Sequence, residues 1–154
     1  MAKEDDIAGL KPDQPFPEAG RVIIHSRFVS MWKQRDETLA GDEEALHDMR
    51  VGSRRLRAAL DVFAAAFKGK EYRDLRGLTA RLTDELGAVR DHDVMLLGLK
   101  RYRKGLPREE RPGIDDLMDA LVAERELARR ALRRFFDELD DHRYAARMED
   151  LFHG

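Results

Sequence analysis

Apolar residues along this chain recur at intervals of three and four, most regularly at Leu75, Leu78, Leu82, Leu86 and Val89. Successive helical residues turn by about 100°, so this spacing lines one face of an α-helix. It predicts a helix over residues 71–103, with Gly77, Gly87 and Gly98 weakening it and Gly87 a candidate bend. A second stripe, Leu117, Leu121, Ala128, Ala131, Leu132, Phe135 and Leu139, predicts a helix over 113–139. Glu124 falls inside that stripe and calls for a basic partner. Met49, Leu56, Ala59, Leu60, Phe63 and Phe67 mark a helix over 43–67, supported near its end by Ala64-Ala65-Ala66. The least regular set, Val22, Ile23, Val29, Trp32 and Leu39, predicts a first helix from near Pro17 to Ala40. Tyr144, Met148, Leu151 and Phe152 suggest a short closing helix.

Stop signals separate these segments. Gly41 ends the first helix and Asp42 caps the next, with Glu43 and Glu44 at its positive end. Lys68-Gly69-Lys70, Lys104-Gly105-Leu106-Pro107 with Pro112-Gly113, and Asp140-Asp141-His142 interrupt the later patterns. Four long amphipathic helices with short connections and no strand pattern predict an all-α fold, an up-down four-helix bundle with a short C-terminal helix. Pro12, Pro15, Pro17 and an acidic start set residues 1–17 apart as a flexible arm pinned by Phe16, with the bundle over 18–154.

A chain of 154 residues, 42% hydrophobic and 39% charged, suits one domain of long solvent-lined helices. Cysteine is absent, which excludes disulfides and thiolate metal sites. No apolar run approaches the roughly 18 residues of a membrane span. The acidic N-terminus lacks a signal peptide's basic start, so a cytoplasmic protein is expected.

The net charge of −2 conceals a local concentration, four arginines within residues 50–57. On a helix, His47, Arg50, Arg54 and Arg57 share a sector about 80° wide, opposite the apolar seam. Only Asp48 lies close enough in sequence to neutralise them. Arginine's planar fork grips phosphate in two places where lysine offers a point charge, so this ladder is a candidate anion site. The plainer alternative is a solvated helix face. Arg55 points about 100° from Arg54 and is second-tier, as are Lys33, Arg125 and Arg129, which either widen the site or, for the arginines, pair with acids such as Glu124, Glu126 and Asp137. A near-balanced charge argues against a nucleic-acid coat, and Phe63, Phe67, Phe135 and Phe136 read as core rather than base-stacking residues. Nucleic acid is not the expected partner.

Asp93 lies near the rotational centre of the 75–89 stripe, where an unpaired carboxylate is costly. The expectation is that Asp93, with Asp91, orients a ladder arginine while Arg90 adds its own charge. A local surface pair of Arg90 with either acid is the plainer alternative.

His47-x-x-Arg50-Val51-x-x-Arg54-Arg55-Leu56-Arg57, followed by Leu86-Gly87-x-x-Arg90-Asp91-x-Asp93-Val94, resembles the CHAD family, the conserved histidine α-helical domain. The resemblance includes Asp42-Glu43-Glu44-Ala45-Leu46 and Arg143-Tyr144 and extends over residues 18–152. It implies an all-helical, non-catalytic fold that binds inorganic polyphosphate, or a similar polyanion, through basic residues lining a groove or pore. Carried over by position, His47, Arg50, Arg54, Arg57 and Arg90 are the implied ligands. Family members are commonly built as two related bundles, and this chain resembles the first. No second His-x-x-Arg helix follows residue 100, so a homodimer is expected to complete the site. The implied location is the cytoplasm, with association to polyphosphate granules.

Two other readings compete, a phosphoanhydride-processing enzyme or accessory, and a nucleic-acid or protein-binding adaptor. No activated nucleophile, Gly-rich phosphate loop or clear magnesium cluster supports the first. No cofactor is expected. His25, His47 and His92 are candidates to meet in space, but no His-x-x-x-His pair occurs, and His142 and His153 fall in a loop and the tail, so no metal is expected either.

Overall fold

The computed structural model describes residues 7–153. Among these residues six α-helices follow in order, α1 (Phe16–Trp32), α2 (Arg35–Leu39), α3 (Glu43–Val62), α4 (Lys70–Lys104), α5 (Arg111–Asp141) and α6 (Tyr144–Phe152), with a 3₁₀ turn at Arg108–Glu110. No strand occurs among the described residues, and the chain forms the expected all-α bundle. The long helices pack in sequence, α1 on α3, α3 on α4 and α4 on α5, and α6 closes against α1, α4 and α5. The core runs through Ile24, Met31, Met49, Leu56, Leu82, Leu86, Leu139 and Met148, all fully buried.

The punctuation acts as its chemistry predicts. The Asp42 side chain accepts from the Ala45 N–H at 2.8 Å, capping α3. Gly41 and Gly69 take φ of +94° and +125°, left-handed backbone that favours glycine between helices.

Two boundaries differ from expectation. The first helix does not reach Ala40; it breaks after Trp32, where the Gln34 N–H bonds the Met31 carbonyl at 3.2 Å, an i→i+3 tightening. The new direction lays the Arg35 guanidinium 5.5 Å from the Trp32 ring and 5.6 Å from that of Phe136, and buries Thr38. The helix over 43–67 ends instead at Val62, because Phe63 turns into the core against α1. A Cβ built on Gly20 would lie 2.8 Å from the Phe63 ring. Phe67 stacks on Tyr72 at 5.1 Å. Placing these two rings overrides the helical preference of the alanine triplet. α4, by contrast, continues through Gly87.

At the N-terminal end, the Phe16 ring meets Phe63 at 4.7 Å. Just before it, the Gln14 side chain accepts from the Lys11 N–H at 2.9 Å and donates to the Gly9 carbonyl at 3.0 Å. Residues 1–6 of the expected arm lie outside the described residues.

Burial pushes the Tyr72 hydroxyl up to about 12 and raises that of Tyr144 further. An unfolded tyrosine ionises near pH 10, so above that pH the unfolded chain sheds protons that the folded chain retains. Stability is therefore complete below about pH 10 and lost toward pH 12. Urea unfolding across that window should show a loss of about 1–3 kcal/mol from Tyr72, and Tyr72→Phe should flatten the slope. An unchanged slope in the variant would show that Tyr72 ionises normally.

Candidate functional site

α3 and α4 run antiparallel, and four cross-contacts set their register. Arg76 Nε donates to Asp61 Oδ1 at 2.7 Å, and Arg57 Nη1 lies 3.6 Å from Asp84 Oδ1. Next, the Arg50 guanidinium lies over Gly87, where an added Cβ would sit 3.3 Å from Arg50 Nε. At the far end, Arg125 Nη1 of α5 donates at 3.1 Å to both Glu43 of α3 and Asp93 of α4. His47, Arg50, Arg54 and Arg57 follow this seam along α3 for about 15 Å, at about 1.5 Å of rise per residue. Arg90 stands one turn from Gly87 along α4, toward Asp93, half-buried. Gly87 makes no break in α4, contrary to the bend its sequence suggests. Its structural part is to leave room for the Arg50 fork.

The charges on this seam are unevenly matched. Arg50 is half-buried, its Nε is inaccessible to solvent, and that nitrogen has no hydrogen-bond acceptor among the described residues. Arg50, Arg54 and Arg90 make no ion pair among the described residues. Elsewhere Arg35, Arg76, Arg81, Arg103 and Arg147 each hold a carboxylate at 2.9 Å or less. A buried donor without an acceptor costs about 1–3 kcal/mol, and the half-buried guanidinium carries a charge that no carboxylate among the described residues balances; an anion laid along the seam would balance it. His47 and Arg54 are exposed at its rim.

Asp93 is buried as its position in the stripe requires, its side chain 2% exposed, but its partner is different. Asp93 Oδ1 accepts from Arg125, not from a ladder arginine, and its Oδ2 has no partner among the described residues. The stripe that buries Asp93 turns it toward α5, so α5 supplies the cation. Asp91 is exposed and pairs with no arginine among the described residues. Arg129 reaches Glu43 at 3.9 Å. The expected local acids are not used by Arg125 or Arg129; of them, Glu126 pairs with Arg130 at 3.7 Å. Glu124 finds His92, at 3.3 Å from its Nε2, while His92 Nδ1 lies 2.7 Å from the Ala88 carbonyl oxygen.

Lys33 and Arg55 lie away from the α3–α4 seam, lining a shallow depression with Ser30, Asp48 and Val51. His25, His47 and His92 do not come together. His25 bonds Glu149 at 2.8 Å, His92 meets Glu124 and His47 is exposed. Phe63, Phe135 and Phe136 are buried, and Phe67 is half-buried.

No helix among the described residues is long and apolar enough to cross a membrane. No curated protein and no solved structure matches the chain. The CHAD domain matches residues 22–154, a span that takes in the basic ladder with Gly87, Arg90 and Asp93, and the chain belongs to the CHAD family.

Proposed function

We propose that this chain binds inorganic polyphosphate, or a polyanion of similar charge spacing, without catalysis, along the α3–α4 seam. The observation that carries this reading is Arg50, a half-buried guanidinium laid over Gly87 with no carboxylate partner among the described residues. Arg54 and Arg90 add uncompensated cations on either side, and His47 a further donor. Arg57 is paired only at 3.6 Å with an exposed carboxylate, a contact worth little in water, so it is free to exchange Asp84 for phosphate. Arg125 serves differently, tying Asp93 and Glu43 together at one end of the seam. That tie pairs the buried Asp93 with a guanidinium through Oδ1, which favours a structural role for it over acid–base chemistry. Asp91, Lys33, Arg55 and Arg129 take no first part in this reading.

Successive arginines would contact successive phosphates, with selectivity for charge density rather than for one monomer. Affinity should rise with polymer length. With about four cationic contacts it should fall roughly 50-fold between about 50 and 200 mM salt. Titration with polyphosphates of graded length at two salt concentrations checks both, and an affinity indifferent to salt would overturn the proposal. Equal binding of an oligonucleotide of matched charge would favour the adaptor reading, and orthophosphate release with magnesium would favour an enzyme.

The proposed partner is a second copy, forming a homodimer that supplies the other wall of the groove. Exposed Val94, Leu97 and Tyr102 on α4 and Leu117, Val122 and Leu127 on α5 provide apolar surface for it. Light scattering should give a dimer mass; a monomer both with and without polyphosphate would exclude it. The proposed setting is the cytoplasm, at polyphosphate granules.

A further inference from the structure

Where α6 closes on α1, three metal-competent side chains converge. His25 projects from α1, with its Nε2 2.8 Å from Glu149 Oε2 on α6. His153 follows the last residue of α6, and its N–H donates to the Glu149 carbonyl at 2.8 Å. That bond carries the helical spacing one residue past Phe152, so Glu149 and His153 stand at i and i+4 on one face. The His153 ring meets that of His25 edge-on, centroids 4.9 Å apart at 74°. One ligand atom from each of His25, Glu149 and His153 lies within 4.8 Å of the other two. None of these residues belongs to the α3–α4 seam.

We propose that His25, Glu149 and His153 form a binding site for a divalent transition metal of the zinc type. Two imidazole nitrogens and one carboxylate oxygen are the donor set such an ion prefers, and three protein ligands leave a fourth position open. Metal–ligand distances of about 2.0–2.2 Å in a tetrahedron put neighbouring ligand atoms about 3.3–3.6 Å apart. Small side-chain rotations reach that spacing from the arrangement present. Each group is free enough to make them, since His25 and Glu149 have side chains 25% and 44% exposed and His153 is beyond the helix. A groove of about 420 Å³, lined by Val22, Ser26, Val29 and Phe152 with His25 and His153, opens beside the cluster and gives solvent access to the fourth position. Magnesium, which requires a near-octahedral oxygen shell, is a poor match. A bound ion would clamp α6 to α1. The competing explanation, a solvated His–Glu hydrogen bond, predicts no stoichiometric metal binding.

The test uses the tag-free full chain, without polyphosphate, titrated with Zn²⁺ against a chromophoric chelator. One site is expected, with a Kd of about 1–10 µM, weaker than closed four-ligand structural sites, and no competition from Mg²⁺ at the same concentration. Zn²⁺ should also raise the thermal unfolding midpoint. His25→Ala, Glu149→Gln and His153→Ala should each weaken binding at least about 10-fold, as removal of one ligand from a three-ligand site implies. Because His153 lies past the last helical residue, His153→Ala tests the site without disturbing the bundle, and circular dichroism checks the other two. Arg50→Ala with Arg54→Ala should leave the zinc affinity unchanged, which separates this site from the polyanion seam. No saturable binding at about 100 µM Zn²⁺, or binding that all three ligand variants retain, would overturn the proposal.

Discussion

Arg50→Ala combined with Arg54→Ala is expected to abolish retention on a polyphosphate resin while the far-ultraviolet circular dichroism stays helical. Hydrogen bonds to charged groups contribute about 1.5–3 kcal/mol each, so losing two arginines should weaken binding by at least about 100-fold. The fold should not suffer, because among the described residues neither side chain holds a carboxylate and Arg50 carries a buried nitrogen with no acceptor. Removing such a donor takes away a cost rather than a bond. Arg50→Lys should fall between, keeping the charge and losing the fork. Arg81→Ala is the matched control: Arg81 grips Glu138 at 2.9 and 3.0 Å on the surface, so its loss should leave retention unchanged. Retention that survives the double substitution would place the anion site elsewhere.

The largest expected effect on stability is at Tyr144. Its ring is fully buried, 5.5 Å from Trp32 and edge-on to Phe28 at 5.9 Å, and its hydroxyl lies 2.7 Å from Thr79 Oγ1. It therefore joins α6 to α1 and α4 at one point. Arg143 makes this placement, turning the chain out of α5 through left-handed backbone with φ of 54°. Tyr144→Ala should cost about 3–5 kcal/mol through lost burial and the cavity left behind. Tyr144→Phe should cost only about 1 kcal/mol, since Thr79 keeps its bond to the Leu75 carbonyl. Urea denaturation with an unchanged m-value would read both. A loss below about 1 kcal/mol for the alanine variant would mean that the surrounding side chains close the space.

α4 and α5 were legible in the sequence to within a few residues. Each is long and buries one side, so the repeat of three and four has enough turns to average out exceptions. The break between α1 and α2 was not legible, because its cause is the packing of Arg35 and Trp32 against Phe136, roughly a hundred residues away in the chain. The end of α3 was hidden for a related reason: local alanine preference pointed to continued helix, and the space at Gly20 that admits Phe63 belongs to another helix. The ladder was readable because helical spacing alone sets which of its residues share a face. The partner of Asp93 was not, since burial could be inferred from the stripe but the choice between Arg125 and a ladder arginine depends on how α4 is rotated between its two neighbours.

The register that places Asp93 level with Glu43 has one more consequence. α4 has 35 residues and α3 has 20, so the last turns of α4 and the first turns of α5 project past α3 as a two-helix hairpin. Leu96 and Leu121 are buried there, yet both lie outside the main core cluster. Arg103 and Asp115 pin the tip by an exposed pair at 2.6 Å, a weak restraint in water. Hydrogen exchange should therefore be graded along α4, with amides of the 75–89 segment released only by global unfolding and those near the tip by cheap local opening. A partner that seats on the tip would announce itself first as slowed exchange there, before the unfolding midpoint of the whole molecule moved.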